Sequence, residues 1–345
     1  MDLAREQNSR GWSVSLGLMS RPAQATEEAD LWHARKRVLR EHGVEVLTLS
    51  DSTRDVAKAA LTLSRWHKNF DIVHSHLLAG VLASRLSYPR AIPLVWTLHA
   101  TRMGFPNRLI WATQCFVDEY VGCSSAVSQA FQPSIRRPIR TIENGIRLSD
   151  FAALESPSFS KPRPFIFITV GALRESKNHL RLVRAAAIAR RRLATLGKFM
   201  ELRVVGEGVQ RAAIERAIQE LGVEDVVTLC GAKTDIAGLF AESDCFVMSS
   251  DVEGLPLALL EALATGLPCV VTPFAFARDQ LTHGAEALIA SGFTAEALAD
   301  AMVEVAVNPG EAELLSEGAR RAAGRYGIER CSQAYAELYG RLLEA

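Results

Sequence analysis

The stretch CFVMSSDVEGLPLALLEALATGLPCVVT, residues 245–272, decides the reading of this chain. An apolar run ends near Ser249 or Ser250, a short loop carries Glu253 and Gly254, and Pro256 can open a helix that Gly266 terminates, before a second apolar run, PCVVT. Strand, loop, helix and strand in this order form one parallel crossover unit. The free backbone N–H groups near Leu255 and Leu257, with the helix dipole behind them, make that loop a site for a phosphate. Glu253 before the helix and Glu261 inside it can reach two parts of one elongated ligand, a sugar and a ribose. The same spacing also fits a helix N-terminal charge and a solvent-facing helix glutamate.

The alternation extends in both directions. WSVSLGLMS, VEVLTLS, DIVHSH, PLVWTLHA and YVGCS read as strands of one unit, and FIFITVG, ELRVVGEG, VVTLCG, CFVMSS and PCVVT as strands of another, with helical patterns between them. Between the two sets SPSFSKPRP, residues 156–164, reads as a linker, because its prolines continue neither element type. The expected class is α/β, with two doubly wound domains facing a ligand cleft at the carboxyl ends of their strands. The expected divisions are 1–155, the linker 156–164, 165–328, and a final helix over 329–345 that returns to the first domain.

Composition agrees. The 345 residues are 48% hydrophobic and 23% charged, ordinary globular values that exclude a disordered or fibrous chain. The 39 Lys and Arg balance 39 Asp and Glu, but unevenly: residues 1–150 hold 19 against 14, and the remainder 20 against 25. A basic first half suits an anionic partner, although no aromatic-basic module for nucleic acid is present. Six scattered cysteines without a C-x-x-C pair suit a reducing compartment, and no apolar run is long enough to span a bilayer. A cytoplasmic chain is expected, resting at most on the inner face of the membrane. There His33, Arg35, Lys36, Arg37 and Arg40 can touch anionic headgroups, or equally form a solvated helix face.

Other candidates stand at strand ends. In FIFITVGALRESKNHLRLVRAAA, residues 165–187, Arg174 and Lys177 follow Gly171 and precede a helix, a place where cations clamp a diphosphate or merely line a solvated turn. VVGEGVQ, residues 204–210, carries Gly206 and Gly208 but has Arg211 where a dinucleotide fingerprint needs its third glycine, so it reads as a turn. His74 and His76 end one strand. His99 ends the next, so its imidazole should emerge at the cleft rim opposite Glu253, or serve as a structural histidine.

The segment from Glu253 to Glu261, EGLPLALLE, resembles the E-x7-E motif of retaining GT-B glycosyltransferases, specifically glycosyltransferase family 4. DIVHSHL, TLHATRMGF, VGCSSAVS, TIENGIRLSDF, VGALRESKNH, VVGEG, VVTLCG and EALATGLPCVV extend the resemblance over nearly the whole chain. It implies hexosyl transfer with retention from a UDP- or GDP-sugar donor to a saccharide or lipid-linked acceptor, without a metal or other cofactor. By the same resemblance Glu253, Gly254, Leu255 and Pro256 line the sugar and phosphate pocket and Glu261 holds the ribose. Lys177, Arg174 and the neighbourhood of Gly231 serve the nucleotide diphosphate, and His99 contacts the sugar. Glu253, Lys177 and His99 are the expected catalytic residues. A glycosidase is disfavoured, because Glu253 and Glu261 should stand farther apart than the roughly 5 Å of a retaining hydrolase.

The chain departs from the family pattern at Ala172, where arginine is frequent, at Arg147, at Phe274–Ala277 and at Gln280. Its start, LAREQNSRGW, reads as a helix leading into a strand, so the first domain is expected to lack its first β-α unit, and with it a central strand and a glycine-rich loop. That expectation keeps a second class in view: a catalytically impaired homologue acting as a binding or partner protein.

Overall fold

The computed structural model describes residues 1–19, 27–66, 70–101, 107–152, 159 and 163–344. They form two units, Met1–Gly145 with Ile328–Ala345, and Ile146–Gly327.

The first unit alternates helices and strands: α1 (Asp2–Ser9), β1 (Ser15–Leu18), α2 (Glu27–Glu41), β2 (Glu45–Thr48), α3 (Val56–Arg65), β3 (Val73–Ser75), α4 (Leu78–Ser87), β4 (Leu94–Leu98), α5 (Asn107–Ala112), β5 (Glu119–Gly122), α6 (Ser125–Phe131) and β6 (Arg140–Thr141). Side chains start its helices in the expected way, Asp55 accepting from Lys58 N and Ser124 from Val127 N. All five residues of β4 are buried, as a continuous apolar run in a covered parallel strand requires.

The strands divide into two parallel sheets, one pairing β1 with β2 and one ordered β3-β4-β5-β6. No described strand joins β1 to β3, and the division falls where the sequence leads one to expect a central strand. Helix α1 serves both cores: Ala4 packs with Leu16, Leu18 and Leu39, and Leu3 with Val95 and Val121.

The second unit runs α7 (Ser149–Ala152), β7 (Phe165–Val170), α8 (His179–Thr195), β8 (Met200–Val205), α9 (Arg211–Leu221), β9 (Val227–Gly231), α10 (Ile236–Ala241), β10 (Cys245–Met248), α11 (Leu257–Thr265), β11 (Cys269–Val271), α12 (Ala275–Gln280), β12 (Leu288–Ile289), α13 (Ala295–Val307) and α14 (Pro309–Ala323). Its strands make one parallel sheet ordered β12-β11-β10-β7-β8-β9. The chain moves outward from β7 on one side and from β10 on the other, so the direction of winding reverses between these two neighbours. At such a switch point the connections leave in opposite directions and open a crevice at the carboxyl ends. Residues of α8, α9 and α13 share one apolar core with the sheet.

The last helix, α15 (Ile328–Glu344), belongs to the first unit. It buries Ile328, Cys331, Tyr335, Leu338 and Tyr339, a single face at helical spacing, among them the side chains that pack with Val95 and Val121.

The units part at Gly145 and Ile146, ahead of residue 155. Ile146 N donates to Tyr326 O at 2.9 Å and α7 packs on α11, so the residues around α7 go with the second unit. Of the expected linker only residues 159, 163 and 164 are among those described. Two edge strands, β6 and β12, were not expected. At two residues each they are too short to leave a periodic pattern.

Candidate active site

In the second unit, charged and polar side chains of two loops meet at the switch point. After β7 the loop turns through a short 3-10 segment, Glu175–Lys177, into Asn178, whose left-handed backbone (φ 48°) lets its side chain cap α8 by accepting from Arg181 N. After β10 the chain passes through buried Ser249 and Ser250 to Asp251 and Glu253. Backbone and side-chain bonds stitch the two loops together. Ser249 Oγ donates to Lys177 O at 2.8 Å, Asp251 N to Ser176 O at 2.9 Å, and Asn178 Nδ2 to Asp251 Oδ2 at 3.0 Å. Arg181 reaches Asp251 Oδ1 at 2.6 Å and donates to Ser249 O at 3.0 Å.

On this frame Lys177 Nζ donates to Glu253 Oε1 at 2.6 Å, with only 24% and 11% of the two side chains exposed. A pair so placed holds an ammonium and a carboxylate in fixed positions beside the start of α11. Gly254, Leu255 and Pro256 are buried there. Pro256 is the residue that precedes the helix, with φ −77° and ψ 114°, instead of its first helical residue as expected, and it supplies no side-chain cap. Pro256 therefore gives the first-turn N–H groups of α11 no side-chain acceptor, and the helix dipole adds partial positive charge. Because α11 begins at Leu257, Glu261 lies little more than one turn inside it.

Glycines bring the neighbouring loop close. A Cβ on Gly206, where φ is 142°, would stand 2.0 Å from Gly171 O, so only glycine permits this approach of the β8–α9 loop to the β7–α8 loop. That is the role of the VVGEG segment, whose Gly206 N also donates to Gly231 O at 2.8 Å at the end of β9. Arg174 is exposed and its side chain makes no hydrogen bond or ion pair among the described residues, leaving its guanidinium available.

In the first unit the parallel pairing of β3 with β4 sets Val73, His74 and Ser75 beside Leu94, Val95 and Trp96. His76 and His99 therefore leave the two strands side by side, His76 Nδ1 lying 2.8 Å from His99 Nε2. His74 Nδ1 meets Tyr339 Oη at 2.6 Å and its Nε2 meets Thr97 Oγ1 at 2.7 Å, while Thr97 Oγ1 meets Tyr335 Oη at 2.8 Å.

Burial lowers His74 to about 3, His99 beside it adding to the effect, and burial with the N-terminal ammonium lowers His99 to about 4. His76 is held well below the ordinary value by burial, then by His74, His99 and the ammonium. His76 and His99 are nonetheless exposed at the surface, and water at their open faces moderates the lowering, so the direction carries the weight. All three rings are neutral at pH 7.

The expected site residues thus fall into two groups. Arg174, Lys177, Gly231, Glu253, Gly254, Leu255, Pro256 and Glu261 surround the carboxyl ends of β7, β9 and β10, and His99 stands in the first unit. Sequence reasoning missed Asn178, Arg181 and Asp251 as the frame of the first group, and Thr97, Tyr335 and Tyr339 as the frame of the second. It also missed His179, buried beside Lys177 and pushed down to about 4 by burial first and Lys177 second. Of the basic cluster on α2, Lys36 is engaged within the fold, its Nζ 4.1 Å from the Trp32 ring centre, whereas Arg35, Arg37 and Arg40 are exposed. No group of three metal-ligating side chains gathers among the described residues.

Two Rossmann-like units with parallel sheets, one carrying a Lys–Glu pair at its switch point, define the GT-B class of glycosyltransferases. The fold is shared with the UDP- and glucose-bound HepE of Anabaena (TM-score 0.79, 19% identity, 99% of this chain and 94% of that one). Sucrose-phosphate synthase of Thermosynechococcus elongatus shares it too (TM-score 0.79, 17% identity, 99% and 92%).

The family model described as Glycosyl transferases group 1 matches residues 151–322, and that described as Glycosyltransferase Family 4 matches residues 1–150. The lipopolysaccharide core biosynthesis glycosyltransferase LpsE of Rhizobium meliloti (strain 1021) is 30% identical over 247 residues, 69% of this chain and 68% of that protein. An Escherichia coli UDP-Gal:alpha-D-GlcNAc-diphosphoundecaprenol alpha-1,3-galactosyltransferase is 34% identical over 143 residues, 39% of this chain and 36% of its own length. The chain belongs to glycosyltransferase family 4.

Proposed function

We propose that this glycosyltransferase moves a hexose from a UDP-sugar, or the corresponding GDP-sugar, to a saccharide or lipid-linked acceptor in polysaccharide or glycoconjugate synthesis, with retention at the anomeric carbon. The observation that carries this reading is the Lys177–Glu253 pair held at the switch point beside the start of α11. Lys177 and the first-turn N–H groups stabilise negative charge on the diphosphate as the glycosidic bond breaks, with Arg174 as a second cation. Glu253, fixed by Lys177, orients sugar hydroxyls and is not the nucleophile. Gly254, Leu255 and Pro256 line the sugar and phosphate pocket, Gly231 borders the nucleotide, Glu261 binds the ribose, and His99 contacts the sugar.

The leaving phosphate helps to take the acceptor proton, and no metal or other cofactor is required. UDP is the preferred nucleotide, a choice supported by the UDP-glucose complex of HepE and the UDP-Gal donor named for the E. coli relative. That relative's undecaprenol-linked acceptor supports a lipid-linked acceptor at the inner face of the membrane, met by the basic first half and the exposed arginines of α2. We place such contact at the membrane periphery; no described helix is long and apolar enough to cross a membrane.

Calorimetric titration with UDP and GDP tests the reading. Binding of UDP, weakened about tenfold or more by Lys177→Ala, is the expected result. Failure of the chain to bind any nucleoside diphosphate would favour the impaired homologue.

A further inference from the structure

The hydrogen bond between His76 and His99 joins two ring nitrogens, so only one of the two can carry the proton. Which one does so decides what His99 offers with its other nitrogen. His99 Nδ1 has no hydrogen-bond partner among the described residues and its ring is exposed. If His99 Nε2 is the donor, Nδ1 holds a lone pair. If His76 Nδ1 is the donor, His99 presents an N–H.

We propose that His76 is a positioning residue that accepts the Nε2–H of His99 and so leaves the His99 Nδ1 lone pair to accept a hydrogen bond from a substrate hydroxyl; the second half rests on His99 contacting the sugar. Three observations carry this. First, the His76 ring stacks on His74, with centroids 4.3 Å apart and planes at 35°. His74 is itself clamped through both nitrogens by Tyr339 and Thr97, so the surface against which His76 rests is fixed. Second, with both His74 nitrogens taken, His76 Nδ1 has His99 as its partner, and the 2.8 Å separation is that of a formed bond.

Third, a neutral histidine intrinsically prefers its proton on Nε2, and this arrangement alone lets both rings keep that form. The reverse arrangement would force both onto Nδ1–H. The groups facing the pair are His74 on β3, Thr97 on β4, Tyr335 and Tyr339 on α15, and the amino group preceding α1. None of them is a carboxylate that would draw a second proton onto either ring.

Two-bond proton–nitrogen correlation spectra of the full chain with 15N-labelled histidine test the assignment. In the wild type at neutral pH, His99 and His76 should both show a protonated Nε2 and a bare Nδ1. His76→Phe keeps a ring against His74 but removes the acceptor. It should shift the His99 Nε2 resonance and lower kcat/KM about tenfold, the loss of one hydrogen bond, while UDP affinity stays the same. His76→Asn, whose Oδ1 can occupy the place of Nδ1, should restore most of the rate.

A protonated Nδ1 on His99 in the wild type overturns the proposal without recourse to any variant. So does a His99 spectrum unchanged in His76→Phe. If the spectra behave as expected but His99→Ala transfers sugar at the wild-type rate, the contact between His99 and substrate is what fails, and the pairing stands.

Discussion

At the carboxyl ends of β7 and β10 the loops are joined largely by charged groups: Lys177 with Glu253, Arg181 with Asp251, and Asn178 donating to the same aspartate. At the carboxyl ends of β3 and β4, the corresponding place in the other unit, the chain sets three neutral imidazoles among a threonine and two tyrosines. Both arrangements are rigid, but they suit different ligands. Fixed ammonium and backbone N–H groups favour a ligand that brings negative charge, whereas neutral rings exchange hydrogen bonds with hydroxyls without demanding a counter-charge. On the function proposed above, the first would receive the diphosphate and the second a sugar or acceptor hydroxyl.

Removing charge from the second unit breaks this contrast most severely. Glu253→Gln keeps the shape but replaces an ion pair with a neutral amide against Lys177, and transfer should fall about a thousandfold or more, with UDP still bound. Initial-rate assays with radiolabelled UDP-sugar, alongside calorimetry, measure both. Full activity in this variant would remove Glu253 from the site.

The charged frame also depends on backbone proximity. Gly206→Ala would drive a Cβ to 2.0 Å from Gly171 O, a contact between main chains that no side-chain rotation relieves. Destabilisation of about 3 kcal/mol is expected, read from urea unfolding, with nucleotide affinity lowered through the displaced β7–α8 loop. An unaffected midpoint would mean that this loop yields more readily than its hydrogen bonds imply.

Much of this was legible in the sequence, and what was not has a physical reason. The unbroken apolar run of β4 announced a covered parallel strand, and EGLPLALLE announced the loop and helix at the switch point. What local pattern cannot carry is contact at a distance. Lys177 and Glu253 are 76 positions apart, and His74 meets a tyrosine 265 positions away. The tyrosines of α15 read only as an amphipathic face, because burial and hydrogen bonding use the same residues at the same spacing. Pro256 was placed one residue too deep, since its fixed φ suits both the position before a helix and the first position within it. The division of the first unit's strands into two sheets is likewise invisible locally, because each strand keeps a normal parallel neighbour on one side.

A smaller effect is expected from the frame than from the pair it supports. Asp251→Ala removes the partner of Arg181 and Asn178, but 41% of the aspartate side chain is exposed, so solvent already screens the pair. About 1 kcal/mol of stability should be lost. Arg181 keeps its bond to Ser249 O and its position over the Phe293 ring, 5.6 Å from the centroid. A loss several times larger in chemical denaturation would show that Asp251 orders the whole loop.

The mildest test concerns a buried histidine beside the charged site. His179 is 4% exposed, its Nδ1 has no hydrogen-bond partner among the described residues, and burial followed by Lys177 lowers it from 6.5 to about 4. Between those values the unfolded chain binds a proton that the folded chain does not. Stability is therefore undiminished above pH 6.5 and falls as the pH drops through the window, by up to about 1.4 kcal/mol per pH unit for this ring. His74 behaves in the same sense in the first unit, with its window reaching to about pH 3. Its titration cannot be removed without breaking the contacts to Tyr339 and Thr97, so His179→Leu is the cleaner variant. Unfolding midpoints measured from pH 7 to pH 4 should show a shallower acid loss in that variant than in the wild type. Equal slopes would mean that Lys177 and Glu253 rearrange to admit a charged imidazole, and the distinction between a charged site and a neutral one would then hold only near neutral pH.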